Sequence, residues 1–168
     1  SVAGADINVA DAWKLTAGNP EVIVAIVDEG VKYTHPDLAA NMWINPNPSP
    51  EYKNQDIHGW NFAADGPISW GQKGDSGHGT HVAGTVAAVN NNGIGVCGVA
   101  GGTGKGDGVR LMSCQIFSGD LTGDALVSSR AVKYAADHGA SILQCSWGIK
   151  AGIYTSDNMF IKQSPMDY

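Results

Sequence analysis

Two residues of this sequence are placed where a carboxylate and an imidazole could transfer a proton together. Asp28 ends a short apolar run, 22–27, and His78 opens a stretch in which glycines flank the ring. A histidine has a pKa near 6.5 and can act as a general base, provided that a carboxylate fixes its tautomer and stabilises its cation. The positive end of a helix favours the neutral, proton-accepting ring. The pattern therefore predicts that Asp28 and His78 pair.

The elements that must position this pair alternate between strands and helices. We predict buried strands at 22–27, 109–117 and 141–146, a short strand at 58–62, and helices at 6–17, from 78 to about 90, and from Thr122 or Asp124 to Gly139. Strands that are apolar on both faces indicate a mainly parallel sheet flanked by helices, an α/β fold. Ligands of such sheets bind beyond the carboxyl ends of the strands, where we expect Asp28 and Ser146.

The composition is compatible with a single domain and excludes several classes of protein. Charged residues make up 15% of the 168 residues, and 23 glycines contribute to a polar, loop-rich surface of the kind found on many secreted enzymes. A net charge of −6 with scattered Lys and Arg argues against a nucleic-acid partner. No apolar run is long enough for a membrane span, and no signal-peptide pattern opens the chain. A start at Ser1 suits a mature product whose targeting segment was removed.

The cysteines and one helical glycine give further expectations. Cys97, Cys114 and Cys145 lie in apolar contexts and are predicted to be buried free thiols, with one disulfide or a reactive thiol as alternatives. Gly84, inside the predicted helix at 78–90, is expected to allow close packing against a neighbouring element.

Two other kinds of site match fragments of the sequence. The glycine-rich stretch 101–106 is similar to a phosphate-binding loop, but such a loop needs Ser or Thr after its lysine, and Gly106 stands there. His78 and His81 have a helical spacing that suits a metal, but a glutamate between them and a third ligand are lacking. We expect His81 to be structural.

Several motifs in the same order resemble the subtilisin-like serine protease family. Asp28 in the stretch 24–30 and the segment 35–38 are similar to the family's aspartate motif and the residues after it. The stretch 78–85, His-Gly-Thr-His-Val-Ala-Gly-Thr, is similar to its histidine motif, and 91–100 to the loop that follows. The resemblance implies a three-layer α/β fold, with a mainly parallel sheet flanked by helices, that is incomplete in this chain.

The resemblance also implies an activity and the residues that perform it. The family hydrolyses peptide bonds as serine endopeptidases, and here Asp28 would orient and stabilise while His78 acts as general base and acid. Ser146, Trp147 and Gly148 would offer their backbone to an extended protein or peptide substrate, and the stretch 119–123 would form the facing edge. A secreted or cell-envelope location is expected.

The resemblance further implies a calcium site. Asp37, Val89 and Asn91 would supply oxygen ligands to a structural calcium ion that takes no part in catalysis. The loop that contains Val89 and Asn91 is one residue longer than in the family.

Glu29 stands where the family usually has Ser or Thr. We expect its side chain to point away from Asp28, as the next residue of a strand does, while its charge raises the pKa of His78.

The nucleophile that the resemblance requires does not occur in these 168 residues. The family's serine lies in a Gly-Thr-Ser stretch before a helix, and the sequence contains no such stretch. We therefore expect residues 1–168 to be the amino-terminal part of a single peptidase domain, inactive alone, with the serine and the oxyanion-hole asparagine on a carboxy-terminal segment or second chain. A non-catalytic peptide-binding relative and an inert truncated fragment are the alternatives.

Overall fold

The computed structural model describes residues 4–148, and in it helices cover both faces of a five-stranded sheet. Its elements in chain order are α1 (Val9–Ala12), β1 (Ile23–Glu29), β2 (Gly59–Asn61), α2 (His78–Ala87), β3 (Arg110–Ser118), β4 (Leu121–Thr122), α3 (Ala125–Asp137) and β5 (Ile142–Gln144), with 3₁₀ turns at Ala39–Asn41 and Pro50–Tyr52. Four strands run parallel in the order β2-β3-β1-β5, and β4 pairs antiparallel with the end of β3. The predicted parallel α/β fold is confirmed.

Strand β1 lies at the centre of the sheet and divides the core in two. Val24 and Ile26 pack in the cluster beneath α2, while Ala25 and Val27 pack in the cluster beneath α3. Because alternate strand residues face opposite sides of a sheet, Asp28 shares the α2 face with Val24 and Ile26. The carboxylate of Asp28 therefore lies on the side of the sheet that α2 covers.

Helix α3 covers the other face and begins at a side-chain cap. The carboxylate of Asp124 accepts a hydrogen bond from the backbone N–H of Val127 at 2.8 Å, which satisfies one of the free donors of the first turn. Of the two predicted caps, Asp124 is the one observed, and Thr122 belongs to β4. Ala131 and Tyr134 of this helix are buried against the sheet, as its apolar spacing predicts.

Three elements are shorter than the sequence predicts. Helix α1 has only four residues and begins at Val9, because Asn8 before it has a left-handed backbone with φ of 50°. Helix α2 ends at Ala87, because Ala88 turns to an extended conformation with ψ of 141°. The prediction for strand β5 is wrong in burial as well as in length. Within the described residues it forms an edge of the sheet, so Ile142 is 50% exposed.

Two expectations about small residues are also wrong. Cys114 is buried, but Cys97 and Cys145 are exposed, and all three thiols are free. Cys114 and Cys145 lie on opposite sides of β1, two strand spacings or about 9–10 Å apart, which is too far for a disulfide. A side chain at Gly84 would meet nothing within 4 Å among the described residues. The close helix–strand contact is made at Gly79 instead.

Candidate active site

Asp28 and His78 meet at the carboxyl edge of the sheet. Nδ1 of His78 lies 2.7 Å from Oδ1 of Asp28. An ionised carboxylate only accepts hydrogen bonds, so Nδ1 carries the proton and Nε2 keeps a free lone pair. The Asp28 side chain is 1% exposed, whereas that of His78 is 47% exposed. The pair thus consists of a buried carboxylate and an imidazole that solvent, and hence a substrate, can reach.

A close approach of α2 to the end of β1 makes this pairing possible. A Cβ atom at Gly79 would overlap the carbonyl oxygen of Glu29, so only glycine allows the two backbones this distance. One residue further, the hydroxyl of Thr80 accepts a hydrogen bond from the backbone N–H of Lys32 at 2.9 Å. The helix is therefore held against the strand end by its first turn, which contains His78.

Glu29 also reaches this first turn, contrary to the expectation that it points away. Its Oε2 accepts a hydrogen bond from the backbone N–H of His78 at 2.9 Å, and its Oε1 accepts one from the hydroxyl of Ser76 at 2.9 Å. The register between β1 and β3 is irregular between Asp28 and Glu29, where Ile116 has no partner on β1. Side chains no longer alternate strictly between the two faces at such an irregularity, so the Glu29 side chain can turn toward α2.

The two carboxylates set the protonation of the ring. The hydrogen bond to Asp28 raises the pKa of His78 above its ordinary value of 6.5, the charges of Asp28 and Glu29 act in the same direction, and partial burial of the ring opposes them. His78 can accept a proton only above this raised pKa.

The segment after β5 lies beside the end of β1. The indole N–H of Trp147 donates to the backbone carbonyl of Val27 at 2.7 Å, and its ring meets that of Phe117 edge to face at 6.1 Å. The hydroxyl of Ser146 accepts a hydrogen bond from the Gln144 side chain at 2.9 Å. Ser146, Trp147 and Gly148 are all exposed, so their backbone is open to solvent at the carboxyl edge.

The loop after α2 wraps around Asp37, but not with the expected asparagine. Oδ1 of Asp37 accepts a hydrogen bond from the side chain of Asn92 at 2.7 Å, and Oδ2 accepts one from the backbone N–H of Val96 at 2.9 Å. The Asn91 amide instead donates to the carbonyl of Thr103 at 3.1 Å. Asn92, and not Asn91, is thus the asparagine whose side chain faces Asp37. Val89 remains next to Asp37, because its N–H donates to the Asp37 carbonyl at 2.9 Å.

Sequence reasoning missed the structural roles of three residues. Glu29 binds the start of α2, Asn92 faces Asp37, and Asp75 ties the loop before α2 to the turn after β3 by accepting the Gly119 N–H at 2.6 Å. An acidic residue next to Asp28, on a strand that precedes a helix lacking a capping side chain, is the signal that could have identified Glu29. Nothing in the run Asn90-Asn91-Asn92 distinguishes its members.

The other sites considered from the sequence were a phosphate-binding loop at 101–106 and a metal site on α2. In the stretch 101–106, the Gly102 N–H donates to Ala17, and the Thr103 N–H and hydroxyl bind the carboxylate of Asp107. Between residues 4 and 148 there is no group of three or more His, Cys, Asp or Glu side chains arranged to hold a metal ion. None of the helices in this part of the chain has the length and apolar character that a membrane span requires.

The fold and the site together define a class: a parallel α/β domain with an aspartate–histidine pair at the carboxyl edge of its sheet. A sequence profile of the Subtilase family matches residues 19–166, and the chain belongs to this family. Halolysin of Haloferax mediterranei is 33% identical over 142 residues, which are 84% of this chain and 24% of halolysin. Thermitase of Thermoactinomyces vulgaris is 32% identical over 146 residues, 87% of this chain and 44% of thermitase.

Solved structures show the same similarity. Fervidolysin from Fervidobacterium pennivorans, described as a keratinolytic enzyme related to subtilisin, aligns with a TM-score of 0.57 at 29% identity, over 88% of this chain and 20% of fervidolysin. The serine protease of Aeromonas sobria, solved with its chaperone, aligns with a TM-score of 0.69 at 24% identity, over 99% of this chain and 25% of that one, which shows the shared fold. The chain spans less than half the length of each of these four proteins.

Proposed function

We propose that the protein is a serine endopeptidase in which this chain supplies the aspartate and the histidine. The observation that carries the proposal is the 2.7 Å hydrogen bond from Nδ1 of His78 to buried Asp28, which leaves Nε2 free in an accessible ring. Membership of the Subtilase family gives this arrangement the chemistry of a serine nucleophile. We place that serine on a segment or chain outside residues 1–168, because no Gly-Thr-Ser stretch occurs within them.

Each residue then has a defined part in peptide hydrolysis. Nε2 of His78 takes the proton of the serine hydroxyl as the serine oxygen attacks the scissile carbonyl carbon. The resulting imidazolium is stabilised by Asp28 and gives its proton to the leaving amine, which breaks the C–N bond and leaves an acyl-enzyme. Water, deprotonated by the same nitrogen, then attacks the acyl carbon, and the proton returns to the serine oxygen as the ester C–O bond breaks and the acid product leaves. The triad aspartate keeps its charge throughout.

We propose an extended protein or peptide segment as substrate, lying along the backbone of 146–148 and the stretch 119–123. Residues 120–122 and 146–148 are exposed at the carboxyl edge on which His78 lies, and exposed strand backbone can bind extended peptides through main-chain hydrogen bonds. The low charged fraction of the sequence supports a secreted or cell-envelope location. Detection of the protein in culture medium or an envelope fraction would test that location.

Mass spectrometry under denaturing conditions, combined with labelling by a fluorophosphonate probe, tests the function. Protein purified from its natural source should contain a polypeptide with a Gly-Thr-Ser stretch, either continuous with this chain or separate, and the probe should modify that serine. His78→Ala should abolish labelling, and Asp28→Asn should lower kcat by about 10⁴-fold. Asp65→Asn, which weakens an exposed ion pair with Arg130 and keeps an oxygen that can accept from the Trp60 indole, is the control. Unlabelled protein that binds peptides without cleaving them would contradict the proposal.

We also propose that Asp37 helps to bind a structural calcium ion. Its carboxylate is buried and forms no ion pair with a Lys or Arg of the described residues, and each of its oxygens has lone pairs beyond its single hydrogen bond. The loop that wraps around Asp37, including Val89, would offer backbone carbonyls to the same hard cation. The residues present therefore fit the ion, with the Asn92 side chain in the place first assigned to Asn91.

Calcium should accordingly raise the melting temperature of the full chain, and chelation should lower it. At calcium concentrations about 100 times the dissociation constant, the expected stabilisation is about 2.7 kcal/mol, since the ion binds only the folded state. Asp37→Asn should remove this response, whereas Asp107→Asn, in the neighbouring exposed loop, should retain it. A melting temperature that does not respond to calcium in the parent chain would contradict the site. Differential scanning calorimetry measures all three proteins.

A further inference from the structure

Glu29 satisfies the start of α2 from a different element of the structure. Its carboxylate accepts hydrogen bonds from the Ser76 N–H at 3.2 Å, the Ser76 hydroxyl at 2.9 Å and the His78 N–H at 2.9 Å. The first N–H groups of a helix have no partner within the helix and need acceptors. Gly77 occupies the N-cap position of α2 and has no side chain to provide one. A carboxylate from β1 takes the place of the missing cap.

We propose that Glu29 is a positioning residue for the general base: it holds the backbone of His78 while the adjacent Asp28 holds the ring. This inference rests on the proposed function, in which His78 is that base. Two successive residues of β1 thus hold His78 at two points. Its backbone N–H donates to Glu29 at 2.9 Å, and its Nδ1 donates to Asp28 at 2.7 Å. A side chain whose backbone and ring are both held keeps Nε2 aimed in one direction, as a near-attack geometry requires.

The charge of Glu29 matters for this role as well as its length. Hydrogen bonds from N–H groups to a carboxylate are stronger than those to a neutral acceptor, and a negative charge at the start of a helix is favourable. The same charge is one of the causes that raise the pKa of His78, after the hydrogen bond and charge of Asp28. Glu29 is therefore expected to act both on the geometry of the base and on the pH at which it works.

Other titratable groups lie on the elements next to His78. Cys145 comes directly after β5. Partial burial of its thiol, together with the charge of Asp28, raises the pKa of that thiol. From the loop before α2, Asp75 turns its carboxylate to the N–H groups of Gln72 and Gly119. On α2 itself, His81 lies one turn further and is exposed. Among residues 4–148, only Asp28 and Glu29 accept hydrogen bonds from His78. Substitutions at these two residues should therefore separate the effect of holding the ring from the effect of holding the backbone.

NMR on the full 168-residue chain tests the proposal through two signals of His78. Hydrogen exchange of its backbone amide reports the contact with Glu29, and the low-field signal of its Nδ1 proton reports the contact with Asp28. Glu29→Ala should speed exchange of the amide about tenfold or more, since a hydrogen bond to a charged group is lost, and should broaden the Nδ1 signal. Glu29→Asp, which keeps the charge one methylene further back, should also speed exchange while the titration midpoint of His78 changes little.

Glu29→Gln provides the complementary variant, because it keeps the shape and one acceptor oxygen but removes the charge. It should lower the titration midpoint of His78 and speed amide exchange less than Glu29→Ala does. If Glu29→Ala does not fold, Glu29→Gln carries the test, and unchanged values for both signals would overturn the proposal. Glu21→Gln, an exposed substitution before the other end of β1, is the matched control and should alter neither signal.

A second comparison separates this inference from the proposed function. Asp28→Asn should remove the Nδ1 signal of His78 and leave its amide protected, whereas Glu29→Ala should affect both. If Glu29→Ala leaves amide exchange and the Nδ1 proton as they are in the parent chain, Glu29 does not position His78. Neither signal depends on turnover, so a protein that hydrolyses no peptide would overturn the proposed function without deciding this one.

Discussion

At the scale of single residues, one oxygen atom organises the site. Oδ1 of Asp28 accepts hydrogen bonds both from Nδ1 of His78 and from the backbone N–H of Glu29, each at 2.7 Å. The second bond ties the carboxylate to its own strand, so its direction does not depend on the histidine. The first bond favours the charged ring over the neutral one, because a carboxylate attracts the imidazolium more strongly. The pair therefore couples protonation of His78 to the folded state.

This coupling predicts a pH dependence of stability. The folded pKa of His78 lies above its ordinary 6.5, so the protonated ring contributes stability that is fully present below pH 6.5 and is lost as the pH rises through the folded pKa. His78→Gln removes this contribution. The difference in free energy of unfolding between the parent chain and His78→Gln should therefore shrink as the pH rises. Urea denaturation at a series of pH values measures it, and a constant difference would contradict the raised pKa.

At the scale of elements, the end of β1 and the first turn of α2 behave as one unit. The strand contributes the carbonyl of Glu29, against which Gly79 packs, and the carbonyl of Gly30, to which the Thr80 hydroxyl donates at 3.4 Å. Neither contact follows from the apolar periodicity of the strand or the helix. They depend on the absence of a side chain at one position and on a hydroxyl at the next. The distance between the two elements is thus set by Gly79.

A pair of glycine substitutions in α2 tests this. Gly79→Ala should lower the free energy of unfolding by about 1–3 kcal/mol, because its Cβ overlaps backbone of β1 that cannot move without shifting the strand. Gly84→Ala, in the same helix, should leave it unchanged or raise it by up to about 1 kcal/mol, because alanine is the better helix former and its Cβ meets no described residue. Chemical denaturation of both variants checks the contrast, and equal effects would contradict it.

At the scale of the molecule, a buried carboxylate joins the loop before β2 to the helix behind the sheet. Asp56 is buried and accepts hydrogen bonds from the Asn45 side chain at 2.8 Å, the Ser49 N–H at 3.0 Å and the Tyr134 hydroxyl at 3.0 Å. Burial is the main cause that raises the pKa of Tyr134, with the charge of Asp56 next. The tyrosine thus remains a neutral donor, and a long exposed loop is fixed to α3 far from the catalytic pair.

Removing that donor should destabilise the fold and spare the site. Tyr134→Phe leaves Asp56 with one hydrogen bond fewer to a buried charge, so we expect a loss of about 1.5–3 kcal/mol in the free energy of unfolding. Lys133→Ala, which removes only the exposed pair with Asp137, should cost less than about 1 kcal/mol. The Nδ1 proton signal of His78 should be the same in both variants. A neutral effect of Tyr134→Phe in urea denaturation would show that the contact contributes little.

Much of the fold could be predicted from the sequence because it follows from local periodicity. A continuous apolar run identified β1, alternating apolar residues identified β3, and helical spacing identified α2 and α3 with their inner faces. The burial of β5 could not be predicted, because a strand's position in the sheet depends on which neighbours pair with it. The start of α1 was likewise decided by one left-handed residue, Asn8, whose backbone no apolar pattern reveals.

For the site, the sequence by itself determined the two residues that meet, since Asp28 ends a buried strand and His78 begins a helix on the same edge of a parallel sheet. Only the tertiary structure decided what else touches them. Glu29 caps α2 because the register with β3 is irregular at that point, and Asn92 rather than Asn91 faces Asp37 because of how the loop folds. Periodicity fixes the face and the end of an element, whereas side-chain direction at an irregular position depends on contacts that are distant in sequence.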